Sequence, residues 1–480
     1  MVRARTGRNI SSRRRERGDA ADLVLVASMA TASADVVGTY CSESTYGPLQ
    51  PLHNHEIAHH ILLVGRKLPR SQLRRRFPAA VHTIWCLGCG AEAVEAEDTP
   101  EIRLLQGGPS ENQSVAAWIV GSNNGSFDAV IDAGNALHYG PNALRQMSTL
   151  DRLRELWPAV SAGGRYYIDA FPRSEQSSGA GILTAWMEQL VLFQHPKVRS
   201  YRKAKGHYMA LARVKERPRL PPRASYVVIS HGRAIVSKLF RPPGSASEDE
   251  LRAAAYQFKP VTDKFAGGMN GHSYQHMYGA LLMPMRNISR PGPTKMLEVG
   301  LGCGMVYGPG ASVSLWRHLF PHTERWEAEY NAACVNAALS KGLLGDIHVL
   351  VGDSANRTEV HGWVAQSGGG FDVVIDDSGH SNKMVMTDLD ELWPALLPGG
   401  VYFAEDLHVA HSARYDDTGG KDVSTDFMRH LAEGLLITDA PSRSQASVDA
   451  GSRTPGASFV LCQEMACAIG KQCPQHDEGR

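Results

Sequence analysis

The chain has 480 residues, which is too long for one ordinary domain and predicts two or three. Hydrophobic residues make up 43% and charged residues 21%, a composition typical of soluble globular proteins. The formal net charge of +1 excludes a global positive field, so we expect neither nucleic acid nor acidic membranes as partners. No uncharged apolar run approaches the roughly 18 residues that a membrane helix needs.

The first 40 residues are expected to form a basic, disordered tail. Residues 1–18 carry seven arginines and one glutamate, a charge block typical of a solvated segment. The apolar run 23–34 ends in small residues, but Asp19 and Asp22 lie against it. A weak signal peptide or a transit peptide is the alternative. Without such a targeting segment, the protein is expected to be cytoplasmic.

The eight cysteines do not predict a disulfide scaffold in a chain of this length. Cys86 and Cys89 form a C-x-x-C pair, yet no second pair at zinc spacing follows it. Cys462 and Cys467 are spaced differently. We therefore interpret the cysteines as ordinary buried thiols.

The chain contains an internal repeat. Residues 127–170 and 371–406 share FD-x-VID, LWPA and GG-x-Y. The alignment continues upstream, where residues 104–118 align with residues 349–363. Each copy is thus on the order of a hundred residues or more, which predicts tandem domains rather than a short solenoid.

Proline- and serine-rich segments mark the join between the two copies, at 215–226 and 240–250. The predicted boundaries are 41–240 for the first domain and 250–474 for the second.

The second copy alternates short β-rich runs with helical stretches such as 382–396. The predicted strands are 295–300, 325–330, 347–351, 371–376 and 401–406. This alternation predicts an α/β fold of two tandem Rossmann-like domains, each a mostly parallel, doubly wound sheet. In such sheets, ligands bind beyond the carboxyl ends of the strands.

A glycine-rich loop follows the first predicted strand in "MLEVGLGCG". Glycines there allow a tight turn and a close approach of the backbone to a ligand. Acidic residues near the ends of the first three strands sharpen this weak signal, and one that ends the second strand can accept hydrogen bonds from a ribose. The candidate cofactor-binding residues are Glu298, Gly300, Gly302, Gly304, Glu329, Asp353, Ser354 and Asp376, with Glu327 a less favoured substitute for Glu329. Their order resembles class I S-adenosylmethionine-dependent methyltransferases more than NAD enzymes.

The sequence "IDDSGH" brings carboxylates and an imidazole to the end of the fourth predicted strand. Asp376 and Asp377 end that strand, His380 follows, and Glu405 and Asp406 end the next one. Clustered like charges raise one another's pKa values. A hard divalent cation such as Mg²⁺ or Ca²⁺ relieves this repulsion.

These motifs, with "TDK" at 262–264, "HSYQHMY" at 272–278 and "GGVYFAED", resemble the Mg-dependent macrocin/mycinamicin-type sugar O-methyltransferases. The resemblance covers about 255–472. It implies transfer of a methyl group from S-adenosylmethionine to a hydroxyl of a sugar or polyhydroxylated natural product. It also implies that Asp377, Glu405 and Asp406 hold Mg²⁺ and that His380 is the base. One departure is that the family's Gly–Ser before the histidine is Ser378–Gly379 here.

The chemistry agrees with this resemblance. A metal ion beside a sugar hydroxyl lowers the pKa of that hydroxyl, and the ordinary pKa of histidine suits His380 to take the proton. Alignment of the oxygen with the sulfonium methyl group then supplies much of the remaining catalysis.

The first copy is expected to be degenerate. Ala133 replaces the metal-binding aspartate, Asp169–Ala170 replaces the Glu–Asp pair, and Gly108 replaces Asp353. "WCLGCG" aligns with the second strand of the other copy, so no glycine-rich loop and no first strand precede it. His138 could replace the histidine. This copy would pack against the active one, shape its entrance, or make a dimer-like pseudo-twofold contact.

Other functions remain open. The chain could be a non-catalytic binding or scaffold protein, or could methylate a catechol. An iron-dependent hydroxylase would need two histidines and a carboxylate. Only His380 is expected in the cluster, although His408 and His411 follow closely. The expected partner is a small-molecule hydroxyl acceptor, and a homo-oligomer is compatible with the sequence.

Overall fold

The computed structural model describes residues 60–64, 83–87, 101–105, 110, 113–123, 125–132, 144, 147–193, 219–239, 246–265, 272–287 and 293–473. The expected tail, and the predictions that concern Gly108, Ala133 and His138, lie outside these residues.

The described residues form strands and helices throughout both halves of the chain. The strands are β1 His60–Val64, β2 Thr83–Leu87, β3 Glu101–Leu105, β4 Phe127–Asp132, β5 Val160–Ile168, β6 Ala224–Ser230, β7 Arg233–Lys238, β8 Lys295–Val299, β9 Glu324–Glu329, β10 His348–Val351, β11 Phe371–Asp376, β12 Leu396–Ala404, β13 Ala457–Gln463 and β14 Ala466–Lys471. The α-helices are α1 Val115–Asn123, α2 Thr149–Leu156, α3 Arg173–Phe193, α4 Ala246–Gln257, α5 Gln275–Leu281, α6 Ala311–Leu319, α7 Ala332–Ser340, α8 Arg357–Ser367, α9 Asn382–Ala395, α10 Ser424–Leu436 and α11 Gln445–Arg453.

All these strands belong to one 14-stranded sheet, in the order β10-β9-β8-β11-β12-β14-β13-β6-β7-β5-β4-β1-β2-β3. Read inward from either edge, the order is the third, second, first, fourth, fifth, seventh and sixth strand of that half. In each half the first five strands pair in parallel and the last two join antiparallel. The predicted α/β fold is therefore confirmed, but the sheet is mixed because of the unpredicted hairpins β6–β7 and β13–β14.

The two halves meet at one antiparallel strand pair. β6 pairs with β13 in a register that runs from Ile229–Val460 to Tyr226–Gln463. The Ser230 hydroxyl also donates to the Ser458 carbonyl at 2.6 Å. The sheet is thus continuous through the junction.

Apolar side chains cover both faces of this sheet. Along the junction, Val227 and Val460 belong to one buried cluster, whereas Val228 and Leu461 belong to the other. Successive side chains of a strand point to opposite faces, so each strand contributes to both clusters. Each cluster contains residues from both halves of the chain. The halves therefore share their core.

The elements around the predicted site follow the sequence pattern closely. Every residue of β11 is buried, as expected for a central parallel strand covered on both faces. Helix α9 begins after Ser381, whose side chain caps it by accepting from the Met384 amide. Its apolar face, which includes Leu389, Leu392 and Trp393, is fully buried.

One strand of the first half contradicts the sequence interpretation. The first strand is not missing, because β1 pairs with β2 and β4 at the expected place in the sheet. Its sequence "HILLV" is a short apolar run without the glycine signature that marked β8, so pattern alone did not reveal it. "WCLGCG" does overlap β2, the second strand of its half.

The interpretation of the cysteines as thiols is also wrong. Cys303 is disulfide-bonded to Cys334, with Cα atoms 6.1 Å apart, and Cys462 to Cys467, at 4.1 Å. The second pair arises because the β13–β14 register sets the two residues directly opposite each other. The first joins the loop after β8 to helix α7.

Within the described part of the chain, no helix combines the length and the apolar character needed to cross a membrane.

Candidate active site

A cavity of about 430 Å³ opens at the carboxyl ends of the parallel strands of the second half. The structure brings most of the predicted site residues to its wall. These are Gly300, Gly302, Gly304, Glu329, Asp353, Ser354, Asp377, His380 and Asp406. The topology explains this, since parallel neighbours β8, β9, β10, β11 and β12 all end at the same edge.

The glycine loop touches the loop that carries the acidic residues. Gly300 has φ +114°, and a Cβ there would collide with the backbone carbonyl oxygen of Asp377. The Asp377 amide also donates to the Val299 carbonyl at 2.9 Å. Only glycine combines this conformation with this close approach. The cofactor loop and the acidic rim are therefore fixed relative to each other.

The cavity-wall acids are held by neighbouring backbone amides. The Asn331 amide donates to Glu329 at 2.9 Å, and the Ala355 amide donates to Asp353 at 2.8 Å. The predicted ribose acceptor Glu329 is thus kept at the wall, beside the largely exposed Tyr330.

Two predicted cofactor residues, Glu298 and Asp376, are not in the cavity wall. Both are about 1% exposed, and internal donors occupy their carboxylates. Glu298 accepts from the Trp316 indole at 3.1 Å, and Asp376 accepts from the Tyr402 hydroxyl at 2.8 Å. These residues support the site from behind rather than face the cavity.

The less favoured substitute Glu327 lies behind the wall as well. It is 3% exposed and stands beside Glu298 in the β8–β9 register. Burial, and then the Glu298 charge, raise the pKa of Glu327 well above its ordinary value. Glu327 is therefore expected to be protonated and to donate to its neighbour.

Three predicted residues converge on the rim of the cavity. One ligand atom each from Asp377, His380 and Asp406 lies within 4.8 Å of the others. Nε2 of His380 is 3.4 Å from Oδ2 of Asp406 and 3.9 Å from Oδ1 of Asp377. This is the arrangement of donors that a metal ion could bridge.

The predicted metal ligand Glu405 does not join this group. It is 2% exposed; its Oε1 accepts from the Tyr278 hydroxyl, and its Oε2 accepts from Lys264 at 2.7 Å. Burial raises the pKa of Glu405 well above its ordinary value, although Lys264 opposes this effect. Both oxygens are thus occupied inside the protein.

Lys264, in the "TDK" motif, is a central residue of the site whose role the sequence pattern did not indicate. Its side chain is 2% exposed, and its Nζ is 2.6 Å from Asp377 and 3.2 Å from Glu298. Burial lowers the pKa of Lys264, but the surrounding carboxylates outweigh this and raise it. The lysine therefore stays charged, and part of the repulsion predicted for the acidic cluster is relieved from within.

Asp406 is surrounded by imidazoles. Nitrogen atoms of His380, His272 and His408 lie 3.4, 3.5 and 3.6 Å from its oxygens, and Tyr274 donates to it at 2.7 Å. Burial favours the neutral acid, yet these neighbours together hold the pKa of Asp406 below its usual range.

Two further imidazoles lie beside Asp406, although among the described residues the ligand atoms that converge are those of Asp377, His380 and Asp406. His408, which was considered, and His272 in "HSYQHMY", which was not, both face Asp406. His411 lies elsewhere, with its Nε2 2.9 Å from the Thr425 hydroxyl.

Left-handed backbone at two rim residues shapes the site. His380 has φ +60° and Asp406 has φ +53°, and such conformations in non-glycine residues concentrate at functional sites. Gly379 packs so tightly that a Cβ would lie 2.6 Å from the Met384 sulfur. The exchanged Ser378–Gly379 order therefore still delivers the imidazole to the acids.

Comparisons with known proteins identify this region. Residues 297–407 match a family model described as "Methyltransferase domain". They include the glycine loop, both acidic strand ends and His380. The second half of the chain contains a methyltransferase domain.

Curated proteins similar to part of this chain are O-methyltransferases. A "8-demethyl-8-alpha-L-rhamnosyl tetracenomycin-C 2'-O-methyltransferase" of Streptomyces olivaceus is 27% identical over 190 residues, 38% of this chain and 47% of that protein. The "Mycinamicin VI 2''-O-methyltransferase" of Micromonospora griseorubida is 27% identical over 166 residues, 32% and 39% of the two chains. The "Demethylmacrocin O-methyltransferase" of Streptomyces fradiae is 30% identical over 159 residues, which are 32% of this chain and 38% of that protein. The chain spans less than half the length of each.

A solved structure, "MycE Methyltransferase from the Mycinamycin Biosynthetic Pathway in Complex with Mg and SAH, Crystal form 2", is 22% identical to this chain. The match covers 49% of this chain and 56% of the chain in that structure. Its TM-score is 0.36, too low to compare the two sites.

Proposed function

We propose that the protein is an S-adenosylmethionine-dependent O-methyltransferase that uses Mg²⁺ and acts on a hydroxyl of a sugar or polyhydroxylated natural product. One observation carries the proposal. The cavity formed by the glycine loop, Glu329 and Asp353 opens directly onto the rim formed by Asp377, His380 and Asp406. Cofactor and acceptor would therefore meet within one continuous space.

The rim donors fit a hard divalent cation. Asp377 and Asp406 offer carboxylate oxygens, the donors that Mg²⁺ prefers. Nδ1 of His380 is buried without a hydrogen-bond partner among the described residues, which is typical of a site completed by a bound molecule. An ion bound here would lower the pKa of an adjacent acceptor hydroxyl.

The protein's own residues would then direct the transfer. The glycine loop positions the methyl donor, and the fixed contact between Gly300 and Asp377 sets its distance from the rim. His380, held beside Asp406, takes the proton of the acceptor hydroxyl.

The test uses the full chain. Calorimetry with S-adenosylhomocysteine, with and without Mg²⁺, should give saturable binding, and labelled S-adenosylmethionine should transfer its methyl group to members of a panel of glycosides and catechols. Transfer to catechols alone would replace the sugar acceptor. Binding without any transfer would favour a non-catalytic protein, and no cofactor binding would overturn the proposal.

The three imidazoles around Asp406 support a second candidate, a metal-dependent oxidase or hydroxylase with histidine ligands. Anaerobic Fe²⁺ titration followed by exposure to oxygen separates the two. Oxygen consumption with the same acceptors, and no methyl transfer, would favour this second candidate.

We further propose that residues 41–240 are a degenerate copy of 250–474. Matching contacts support this. Tyr166 donates to Asp132 at 3.0 Å as Tyr402 donates to Asp376 at 2.8 Å. Likewise the ammonium groups of Lys238 and Lys471 donate to equivalent carbonyls after the shared LWPA sequence.

A charge reversal in the first half supports the divergence of that copy from the second. Arg152 and Asp388 stand four residues before the shared leucine of LWPA. Asp388 accepts from the cavity-wall residue Ser354 at 2.7 Å, whereas Arg152 makes a buried ion pair with Asp132 at 2.9 Å. The guanidinium thus ties up an acid that ends the fourth strand of its half.

The proposed cytoplasmic location stays a prediction. The disulfides argue against it, because stable disulfides are rare in reducing compartments.

A further inference from the structure

A disulfide bond crosses one wall of the cavity. Cys303 lies in the glycine loop, between Gly302 and Gly304, and belongs to the cavity wall. Its sulfur is bonded to that of Cys334, which is 31 residues later, in the first turn of helix α7. The bond joins two segments that follow different parallel strands, β8 and β9. The proposed methyl transfer gives this bond no role.

The disulfide connects two parts of the proposed cofactor site. Asn331 caps helix α7, and its side chain accepts from the Cys334 amide at 3.1 Å. The Asn331 amide in turn donates to Glu329, the proposed ribose acceptor, at 2.9 Å. One short segment therefore carries both Glu329 and the second cysteine. Residues of this segment and of the glycine loop line the same cavity.

The glycine loop has few other attachments to the rest of the protein. Among the residues that the structure describes, the backbone hydrogen bonds of 302–308 stay within that segment, at 3.0 and 3.1 Å. Residues 304–307 are exposed. The hydroxyl of Tyr307 donates to Asp263, which ties the loop to the cavity wall at one further point. The disulfide is thus one of a small number of contacts that hold the loop.

The hydrophobic core beneath the loop is small. Cys303 packs against a third cluster of buried residues, separate from the two larger ones. Its members are Leu301, Val313, Val335, Ala338, Leu344 and Ile347. Segments that rest on few buried apolar contacts open locally at a low cost in free energy. Since a covalent link removes many of those open states, we expect the disulfide to be important for the order of this loop.

This bond is partly exposed, unlike the other disulfide between two described residues. Cys303 and Cys334 are half-buried. Cys462 and Cys467 are 2% and 1% exposed and lie opposite each other in the β13–β14 hairpin, whose backbone hydrogen bonds hold the two strands together in any case. Thiol–disulfide exchange requires access to a sulfur atom. A reductant in solution is therefore expected to reach the first bond and not the second.

We propose that the Cys303–Cys334 disulfide is a redox-modification site that controls cofactor affinity, and that its reactant is a dithiol. This proposal rests on the proposed function, because the affinity that it controls is that for S-adenosylmethionine. The oxidised form holds the glycine loop against the Glu329 segment and binds the cofactor well. The reduced form binds it weakly.

The reduction proceeds by thiol–disulfide exchange. A thiolate of the dithiol attacks one sulfur of the bond, the S–S bond breaks, and a mixed disulfide forms. The second thiol of the reductant then displaces the remaining cysteine. Two electrons pass from the dithiol to the protein, the dithiol leaves as a cyclic disulfide, and its two thiol protons end on Cys303 and Cys334.

Reduction weakens binding because it loosens the site before the ligand arrives. A ligand binds only the fraction of molecules in which both segments are in place, and its apparent affinity falls in proportion to that fraction. A fall of the fraction to about a tenth lowers the affinity about tenfold. A loop that is already ordered binds more tightly for the same reason.

Calorimetry of the full chain with S-adenosylhomocysteine, before and after treatment with dithiothreitol, measures the effect. We expect about tenfold weaker binding after reduction and recovery of the affinity after reoxidation. Alkylation followed by peptide mass mapping shows which bonds have been cleaved. Unchanged or tighter binding by protein in which the Cys303–Cys334 bond is cleaved would overturn the proposal. So would a bond that dithiothreitol does not cleave in the folded protein.

Two double variants test whether the effect belongs to this bond. Cys303→Ser/Cys334→Ser should bind S-adenosylhomocysteine as weakly as the reduced wild-type protein, with and without dithiothreitol. The matched control, Cys462→Ala/Cys467→Ala, should respond to dithiothreitol as the wild type does. A response that persists in the first variant, or disappears in the second, would contradict the assignment.

Hydrogen exchange of the ligand-free wild-type protein gives a readout that does not depend on the folding of a variant. Reduction should speed exchange in residues 300–310, whereas residues 457–471 keep their protection. Loss of protection in both segments would indicate a general loss of stability and overturn the proposal.

The same titrations separate this proposal from the proposed function. Binding of S-adenosylhomocysteine that dithiothreitol does not change leaves the proposed function standing and removes only the redox control. If neither the oxidised nor the reduced protein binds S-adenosylhomocysteine, the proposed function fails and the control of affinity fails with it.

Discussion

At the scale of single residues, the proposed metal ligand Asp377 has an unusual proton affinity. Burial raises its pKa to about 6, with Lys264 and His380 acting against burial and Asp406 adding to it. The carboxylate is thus mostly ionised above about pH 6.

This pKa predicts a pH dependence of metal binding. Above about pH 6, Asp377 is ionised and can bind the ion, and below it the proton competes. Mg²⁺ affinity of the cofactor-free protein should therefore fall about tenfold per pH unit below pH 6. Calorimetric titrations between about pH 5 and pH 8 measure the slope. An affinity that stays flat on acidification would contradict the assigned ligand.

Gly300→Ala should destabilise the protein, because the new Cβ meets the Asp377 carbonyl and the residue must keep φ +114°. We expect a loss of more than about 2 kcal/mol in the free energy of unfolding. Gly304→Ala is the matched control, since a Cβ there meets no heavy atom within 4 Å. Urea unfolding of both variants measures the difference, and equal losses would refute the close-approach argument.

His380→Ala should lower methyl transfer by about 10²- to 10⁴-fold while S-adenosylhomocysteine affinity stays nearly unchanged. The imidazole lies beside the rim acids Asp377 and Asp406. Single-turnover rates and calorimetry separate the two effects. Unchanged turnover would remove the base role.

The sequence could predict the acids at the strand ends because each follows a recognisable apolar strand. It could not predict Lys264, which lies 113 residues from Asp377 and 141 from Glu405. Only the folded chain brings an isolated lysine to carboxylates so distant in sequence.

At the scale of elements, the β13–β14 hairpin supports helix α5, which carries part of the site. The buried Gln463 side chain accepts from the Met277 amide at 2.7 Å and donates to the Ser273 carbonyl at 2.9 Å. The helix in turn presents Tyr278 to Glu405. The rim is therefore coupled to the hairpin through one amide side chain.

Gln463→Met should lower the free energy of unfolding by about 2 to 3 kcal/mol, because it leaves buried backbone groups without hydrogen-bond partners. The exposed Gln366→Met is its control and should change stability by less than about 0.5 kcal/mol. Chemical denaturation measures both. Similar small effects in the two variants would show that the hairpin does not support the helix.

The strands of the second half were predictable up to β12 because apolar runs alternate with helical periodicity. The hairpin was not predicted, because its two short apolar runs lack the glycine and acidic motifs that marked the earlier strands. The disulfide Cys462–Cys467 follows from the local register of that hairpin and was missed with it.

At the scale of the whole molecule, the shared core makes the two halves one cooperative unit. Val228 lies at the junction, pairs with Leu461 and is fully buried.

Val228→Asp should therefore destabilise both halves together, by more than about 3 kcal/mol. Val448→Asp, at a position 46% exposed, should have little effect. Hydrogen exchange followed by mass spectrometry reports on each half separately. Loss of protection confined to residues before the junction would contradict a shared core.

The internal repeat predicted two similar units, and the strand order of each half agrees with that expectation. How they join could not be inferred, because β6 and β13 are apolar strands whose partners are fixed only by three-dimensional register.

The β6–β13 junction also has an evolutionary consequence. In a symmetric dimer, every mutation appears on both sides of the interface at once. Here each side is encoded by its own stretch of one gene, so under the proposed duplication the halves could diverge independently. Selection could then preserve strand β6 of the first half as the pairing partner of β13, without preserving catalytic residues in that half.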